Sequence, residues 1–422
     1  MINFTFTGKL APMQKSENVV PYDEHTYDSG WTRRQLLFFG INGSNRHRFN
    51  ISGGYFPNIS KPCIKVLGVA TKNDDGTLNK GEMIEIPWKD RNLESNIEKV
   101  AEFRRLSIDL NEYGLRTRLS RFGQRVHEGE SLTDEELKSV GIAEESQLEE
   151  VIQKAEKLHK TFISEWDFAE CVNKMLNSGK FKDTIFTVRG TIECQYSDEK
   201  EQWYTNMRPQ RIYVAKPGTE EQCVGSAVLF YSAGAVDSES LEEKEKYFVK
   251  AYTFEYDSAR SKAYGKSTNI PCEFKLSIPK GIPDAKTGES DENDEKRAKA
   301  LVKKFTVEDE DEVYEYGVRF DILNGSQKRE VKIEDLDEDV REDLELGIIS
   351  MDEIIADMGG SIYGERVTEN VYKGVLTSNS DKASYTKGRK KTSYKPEDLF
   401  IPPLDKEPDE ESESGNDDDL DW

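Results

Sequence analysis

The sequence predicts a mainly β chain with a helical insert, an α+β protein of two small five-stranded barrels, a small C-terminal α+β module and a disordered acidic tail. Three observations carry this expectation. Short runs of apolar alternation recur in two sets of five, a stretch of helical periodicity separates the sets, and residues 405–422 hold ten acids and one lysine.

At 422 residues the chain exceeds the roughly 250 residues over which single cores stop growing, so several domains are expected. The first barrel is expected over 1–90, from the runs Ile2 to Leu10, Gln35 to Ile41, Arg46 to Ser52, Cys63 to Ala70 and Gly81 to Trp88. Ile2, Phe4 and Phe6 alternate with Asn3, Thr5 and Thr7, the period of a strand with one buried face. Asn42-Gly43, Gly53-Gly54 and Asp75-Gly76 fall between runs, where tight turns accept positive φ.

A helical insert or connector follows over 91–180, with Thr133 and Glu136 at capping-box spacing. Trp166, Phe168, Val172 and Leu176 are expected to pack it against a barrel. The second barrel is expected over 181–280, beginning with Phe186, Val188, Ile192, Cys194 and Tyr196 on one parity and Gly190 as a bulge or bend. It continues through Gln202 to Ala215, Cys223 to Ala235, Tyr247 to Tyr256 and Ile270 to Ile278. Residues 281–300 read as a charged linker, 301–376 as a small α+β module, and 377–422 as a tail with a basic patch (Lys387, Arg389, Lys390, Lys391, Lys395) and an acidic tip. Five short strands per set suit a barrel of the OB type.

Hydrophobic residues make up 35% and charged residues 33%, too polar for a single large core but too rich in Tyr and Phe for a wholly disordered chain. No run of eighteen apolar residues occurs and the N-terminus lacks a signal-peptide pattern, so a cytoplasmic protein without membrane contact is expected. The five cysteines (Cys63, Cys171, Cys194, Cys223, Cys272) form no Cys-x-x-Cys pair, and no His stands at zinc-ligand spacing. They read as reduced thiols, with no metal or cofactor expected. Of the net charge of −23 the tail from Asp405 carries −9, which leaves −14 on residues 1–404, an unusual balance for a phosphate-binding surface.

Against that balance, arginines and aromatics interleave on the expected strands. Non-specific binding of a single strand needs cations for phosphates and flat side chains for bases, at about 1–3 kcal/mol per stacked base. In the first set these are Trp31, Arg33, Arg34, Phe38 (with Phe39), Arg46 and Arg48. Alternation places Arg46 and Arg48 opposite His47 and Phe49. In the second set they are Arg189, Trp203, Tyr204, Arg208, Arg211 and Tyr213, with Arg211 and Tyr213 on the face opposite Ile212 and Val214. Trp31, Phe38, Phe39 and Trp203 also suit a barrel core, the commoner place for an aromatic, whereas arginines are harder to bury. Arg104, Arg105, Arg116, Arg118, Arg121 and Arg125 either extend the track or pair with the Glu-rich helices nearby.

Gly30-Trp31-Thr32-Arg33-Arg34, Trp203-Tyr204 and the terminus Asp417-Asp418-Asp419-Leu420-Asp421-Trp422 resemble phage and bacterial single-stranded DNA-binding proteins. In that family an acidic C-terminus closes on an apolar or aromatic tip. The chain is longer than the bacterial type, carries two barrels and ends in Trp rather than Pro-Phe, which makes it more similar to a phage-encoded version. The resemblance implies non-specific binding of single-stranded DNA in phage replication or recombination, host-cytoplasmic localisation, and recruitment of replication or recombination proteins through the tail. The tail has its own logic, since carboxylates imitate phosphates and Trp422 offers one apolar anchor.

No phosphate-binding, metalloprotease, nucleophile-elbow or EF-hand motif occurs, so no enzyme and no small-molecule substrate are expected. Two rival readings stay open. One is a viral structural or scaffolding protein, the other a metal-dependent nuclease or replication accessory enzyme using acids such as Glu308 to Glu312.

Overall fold

Clean alternation becomes strands with one wet face. In β1 (Ile2–Pro12) Ile2, Phe4 and Phe6 are buried while Asn3 and Lys9 are exposed. A computed structural model describes residues 2–16, 19–70, 81–237, 245–328, 333, 336–351, 353–354, 363–376 and 388–404. The chain continues through β2 (Tyr22–Thr26), β3 (Thr32–Asn42) and β4 (Asn45–Tyr55), with Gly43 at φ 57° turning the hairpin between the last two. Next come β5 (Cys63–Leu67), β6 (Met83–Pro87), β7 (Leu106–Asp109), α1 (Leu115–His127), α2 (Asp134–Ser139), α3 (Leu148–Leu158), β8 (His159–Phe162) and α4 (Glu165–Asn177). The C-terminal half holds β9 (Ile185–Ser197), β10 (Gln202–Val214), β11 (Gln222–Tyr231), β12 (Val236–Asp237), β13 (Lys246–Tyr256), α5 (Ser258–Tyr264), β14 (Asn269–Pro279), α6 (Asp294–Phe305), β15 (Tyr314–Lys328), α7 (Glu338–Glu345), β16 (Tyr363–Val375) and β17 (Lys390–Lys391). The fold is mainly β within an α+β class.

Strand pairing closes two rings. The first runs β1-β3-β4-β10-β9 and back to β1, antiparallel throughout except for the parallel contact of β4 with β10. The second runs β11-β13-β14-β16-β15 and back to β11, antiparallel except for the parallel contact of β14 with β16. In chain order both rings therefore read first-second-third-fifth-fourth, and each has a helix between its third and fourth strands, α4 in one and α6 in the other. Pairing of β1 with β11, from Asn3↔Ser226 to Thr7↔Gln222, joins them into one sheet.

This arrangement corrects the expected membership. Cys63 to Ala70 and Gly81 to Trp88 do not complete the first ring: β5 and β6 pair with each other, and β9 and β10 take the remaining places. The second ring begins at β11 and is completed by β15 and β16, from the stretch read as a separate α+β module. Part of the expected charged linker is α6, whose Leu301 and Phe305 are buried in the core of that ring. Residues 388–404, expected to be tail, lie on the protein surface and bury Leu399. Gly53-Gly54 lies within β4 rather than in a turn, and Asp75-Gly76 falls outside the described residues.

The first interior is aromatic. Phe4 stacks on Phe49 at 5.6 Å while Phe6 and Phe38 meet the same ring at 5.3 Å. Each buried Phe contributes about 1.5–3 kcal/mol. α4 packs on this interior with Phe168 and Val172, and with the partly buried Leu176, as the sequence indicates, and adds Ala169. Gly190 marks a close backbone approach, because a Cβ there would stand 2.0 Å from the Arg208 carbonyl oxygen beside the bulge between Pro209 and Arg211. The second interior is built on Tyr231, Phe305, Tyr316, Phe274 and Phe320. The insert has its own small core around Leu119, Phe122, Leu137 and Leu148, and Thr133 and Glu136 form the expected capping box.

Candidate nucleic-acid interface

Alternation in β4 turns His47, Phe49 and Ile51 inward and leaves Arg46 and Arg48 exposed. Across the hairpin Arg48 stands opposite Phe39 and Arg46 opposite Ile41. The Arg46 guanidinium lies 4.9 Å from the centre of the half-buried Phe39 ring. The same face continues to Asn50, whose amide meets that of Asn206 on β10 at 3.4 Å. Cations, one aromatic face and amide donors thus share one surface.

That face opens into a cleft of about 480 Å³ between the rings, lined from the first ring by Arg48, Thr205 and Met207 and from the second by Phe248, Lys275 and Asn324. Lys275 Nζ sits 3.9 Å from the Phe248 ring centre. The two cleft carboxylates are neutralised within the protein, Glu273 by Lys250 at 3.0 Å and Glu369 by Lys246 at 2.7 Å. Cys194 and Cys272, one from each ring, meet here; their mutual hydrogen bond and burial push the Cys194 thiol pKa up. Sequence reasoning passed over Lys275, although Cys272, Phe274 and Leu276 buried against Glu273 and Lys275 exposed is a legible alternation.

The other expected residues divide. Arg189 and Tyr213 come together on the β9–β10 face, with 5.7 Å between guanidinium and ring, and burial raises the Tyr213 hydroxyl pKa. Arg211 donates to the Glu102 carbonyl at 3.3 Å. Tyr204 is exposed near the β9–β10 hairpin tip, while Trp203 packs against Tyr196 and the second core. Arg33 lies over Tyr27 at 5.5 Å and Trp31 against Phe56 at 5.0 Å, both half-buried. Arg208 holds the sheet together, donating to Glu193 at 2.8 Å and to the Ser52 carbonyl at 2.7 Å.

Two expected contacts are interior. Phe38 is fully buried in the first ring, and Arg34 is 8% exposed. Arg34 donates to Glu24 at 2.6 Å, to Glu170 at 2.8 Å and to the Trp166 carbonyl at 3.1 Å, and it stacks on the Trp166 ring. Both carboxylates are partly hydrated, so Arg34→Ala is expected to lower stability by about 2 kcal/mol, read as a shifted denaturant midpoint. In the insert, Arg116, Arg118 and Arg125 pair with Asp109, Glu112, Glu130 and Glu136, which favours the ion-paired reading for those three, while Arg105 donates to the Val100 and Glu98 carbonyls and Arg104 and Arg121 lie over Phe103 and Phe122. Asp417, Asp418, Asp419, Leu420, Asp421 and Trp422 lie outside the described residues, as does Lys387.

Among the described residues no group of three or more His, Cys, Asp or Glu side chains is placed to hold a metal ion, and no helix is long and apolar enough to cross a membrane.

No family model and no curated protein matches the chain. Among solved structures it is similar to a deletion mutant of the single-stranded DNA binding protein from Thermus aquaticus, at 8% identity and a TM-score of 0.23, over 76% of this chain and 86% of that one.

Proposed function

We propose that the chain is a non-enzymatic protein that binds single-stranded DNA without sequence specificity, along the β3–β4 face and the inter-ring cleft. The two rings are read as OB-type barrels. Support comes from the shared five-strand order, since OB folds take oligonucleotides on the face of their second and third strands. In the first ring those strands are β3 and β4.

The observation that carries this reading is Arg46 lying over Phe39 with Arg48 directly opposite, at the mouth of a cleft holding Lys275. Cations beside a flat ring serve phosphate and base together. The setting is a phage-type replication or recombination complex, in which the terminal peptide Asp417 to Trp422 docks partner enzymes through its carboxylates and its single indole.

Titration with single-stranded and duplex oligonucleotides across a salt series tests the reading. About four phosphate contacts give a slope of about −3 in log affinity against log salt for a single strand. Preference for duplex, or affinity independent of salt, overturns it.

A further inference from the structure

β13 and β14 hold in the second ring the places that β3 and β4 hold in the first. Their outward side chains Phe248, Glu273 and Lys275 line the far wall of the cleft. The outward row of β13 continues from Phe248 through Lys250 and Tyr252 to Phe254, six residues and about 20 Å along the strand.

Phe254 is covered. Tyr394 lies on it with ring centroids 4.6 Å apart and planes 22° apart, and Phe230 meets the pair edge-on at 4.9 and 5.5 Å. This is the offset stack that a nucleobase would make on the same ring. Tyr394 is nevertheless 38% exposed, unlike the core tyrosines, so its burial alone contributes little to the fold.

The segment that brings Tyr394 here is fastened at both ends. β17 pairs with β15 at Tyr314 and Glu315, and Thr392 donates its amide to the Val313 carbonyl at 2.9 Å. Downstream, Arg260, 2% exposed, donates through Nε to the Pro402 carbonyl at 2.7 Å, and the Tyr264 hydroxyl donates to the Pro403 carbonyl. The fastenings hold the backbone, while the ring of Tyr394 sits between them on the open face.

We propose that the outer face of β13 around Phe254 is a second base-stacking site for the bound strand, and that Tyr394 occupies it in the free protein in place of the base. This rests on the single-strand reading above. A strand long enough to pass from Arg48 through the cleft reaches Phe254 and displaces the tyrosine, whereas a short one confined to the β3–β4 face does not. Because Tyr394 must leave first, affinity for the long strand is reduced by the fraction of time the site is open.

Oligothymidylates of two lengths test the proposal. Tyr394→Ala is expected to tighten binding of the long one about fivefold and leave the short one unchanged. Adding Phe254→Ala to that variant removes the gain. In the parent, the ring resonances of Tyr394 shift on binding the long oligonucleotide and not the short, as the ring leaves Phe254. Weaker binding by Tyr394→Ala overturns the proposal by making the tyrosine a contact of the strand, and equal effects on both lengths overturn it as well. Failure of the parent to bind either length overturns the single-strand reading and this inference with it; normal binding with no length-dependent effect overturns this inference alone.

Discussion

Replacing Arg46 and Arg48 together with alanine is expected to weaken single-strand binding about thirtyfold at low salt, if each charge-assisted phosphate contact contributes about 1 kcal/mol. The slope against salt should also become shallower by about 1.4, since two phosphates go unneutralised at about 0.7 each. Stability should stay within about 0.5 kcal/mol, because both side chains are exposed and the bond from Asn324 reaches only the Arg46 backbone carbonyl. Fluorescence anisotropy across a salt series and a thermal melt measure the three quantities on one preparation. Unchanged affinity with an unchanged melt would move the binding surface away from β4. The Arg208 and Arg211 pair makes a poorer test, because Arg208 joins β10 to both β9 and β4 and its loss costs stability as well.

Legibility in the sequence differs between two neighbouring strands. In β4, Arg46, Arg48, Asn50 and Ser52 share one parity and His47, Phe49 and Ile51 the other, so parity alone assigns inside and outside. In β3, Leu36, Leu37, Phe38, Phe39 and Ile41 put apolar side chains on both faces, and parity says nothing. Arg33 and Arg34 therefore look alike in the sequence, although Arg34 shares its face with Leu36 and Phe38 and is buried by α4. Only the position of the helix, fixed by pairings remote in sequence, separates them.

Ring membership is hidden for a related reason. A strand's period reports which face is buried but not which strand lies beside it. In the first ring the third strand ends at Tyr55 and the fourth begins at Ile185, with the β5–β6 hairpin and the helical insert between them. Five runs in a row suggest one barrel per run of five, yet closure is a long-range event that the runs do not encode. The second ring is shifted by the same two strands, so β15 and β16 look like a module of their own. The mainly β class and the existence of two five-strand units are readable; their partners are not.

The other large expected effect lies between Arg46 and Arg48. His47 is 1% exposed, its Nε2 lies 3.0 Å from Asn42 Oδ1 and its ring meets Phe6 at 5.7 Å. Burial pulls its pKa from 6.5 down to about 4. In the unfolded chain the imidazole takes up a proton near pH 6.5, whereas in the folded chain it stays neutral until about pH 4. Its contribution is therefore fully present above pH 6.5, falls progressively between 6.5 and 4, and stops changing below that, a loss of about 3 kcal/mol in total. His47→Gln keeps a partner for Asn42 and removes the titration. Subtracting its unfolding free energy from the parent's at each pH cancels the carboxylates that also titrate in acid, and the difference should slope only between pH 6.5 and 4. A flat difference across that window would mean that water reaches the imidazole in the folded state. Because His47 stands between Arg46 and Arg48, the same acid loss should appear in DNA binding once the folded fraction itself falls, as an apparent dissociation constant raised in proportion to the lost fraction while saturating stoichiometry is kept.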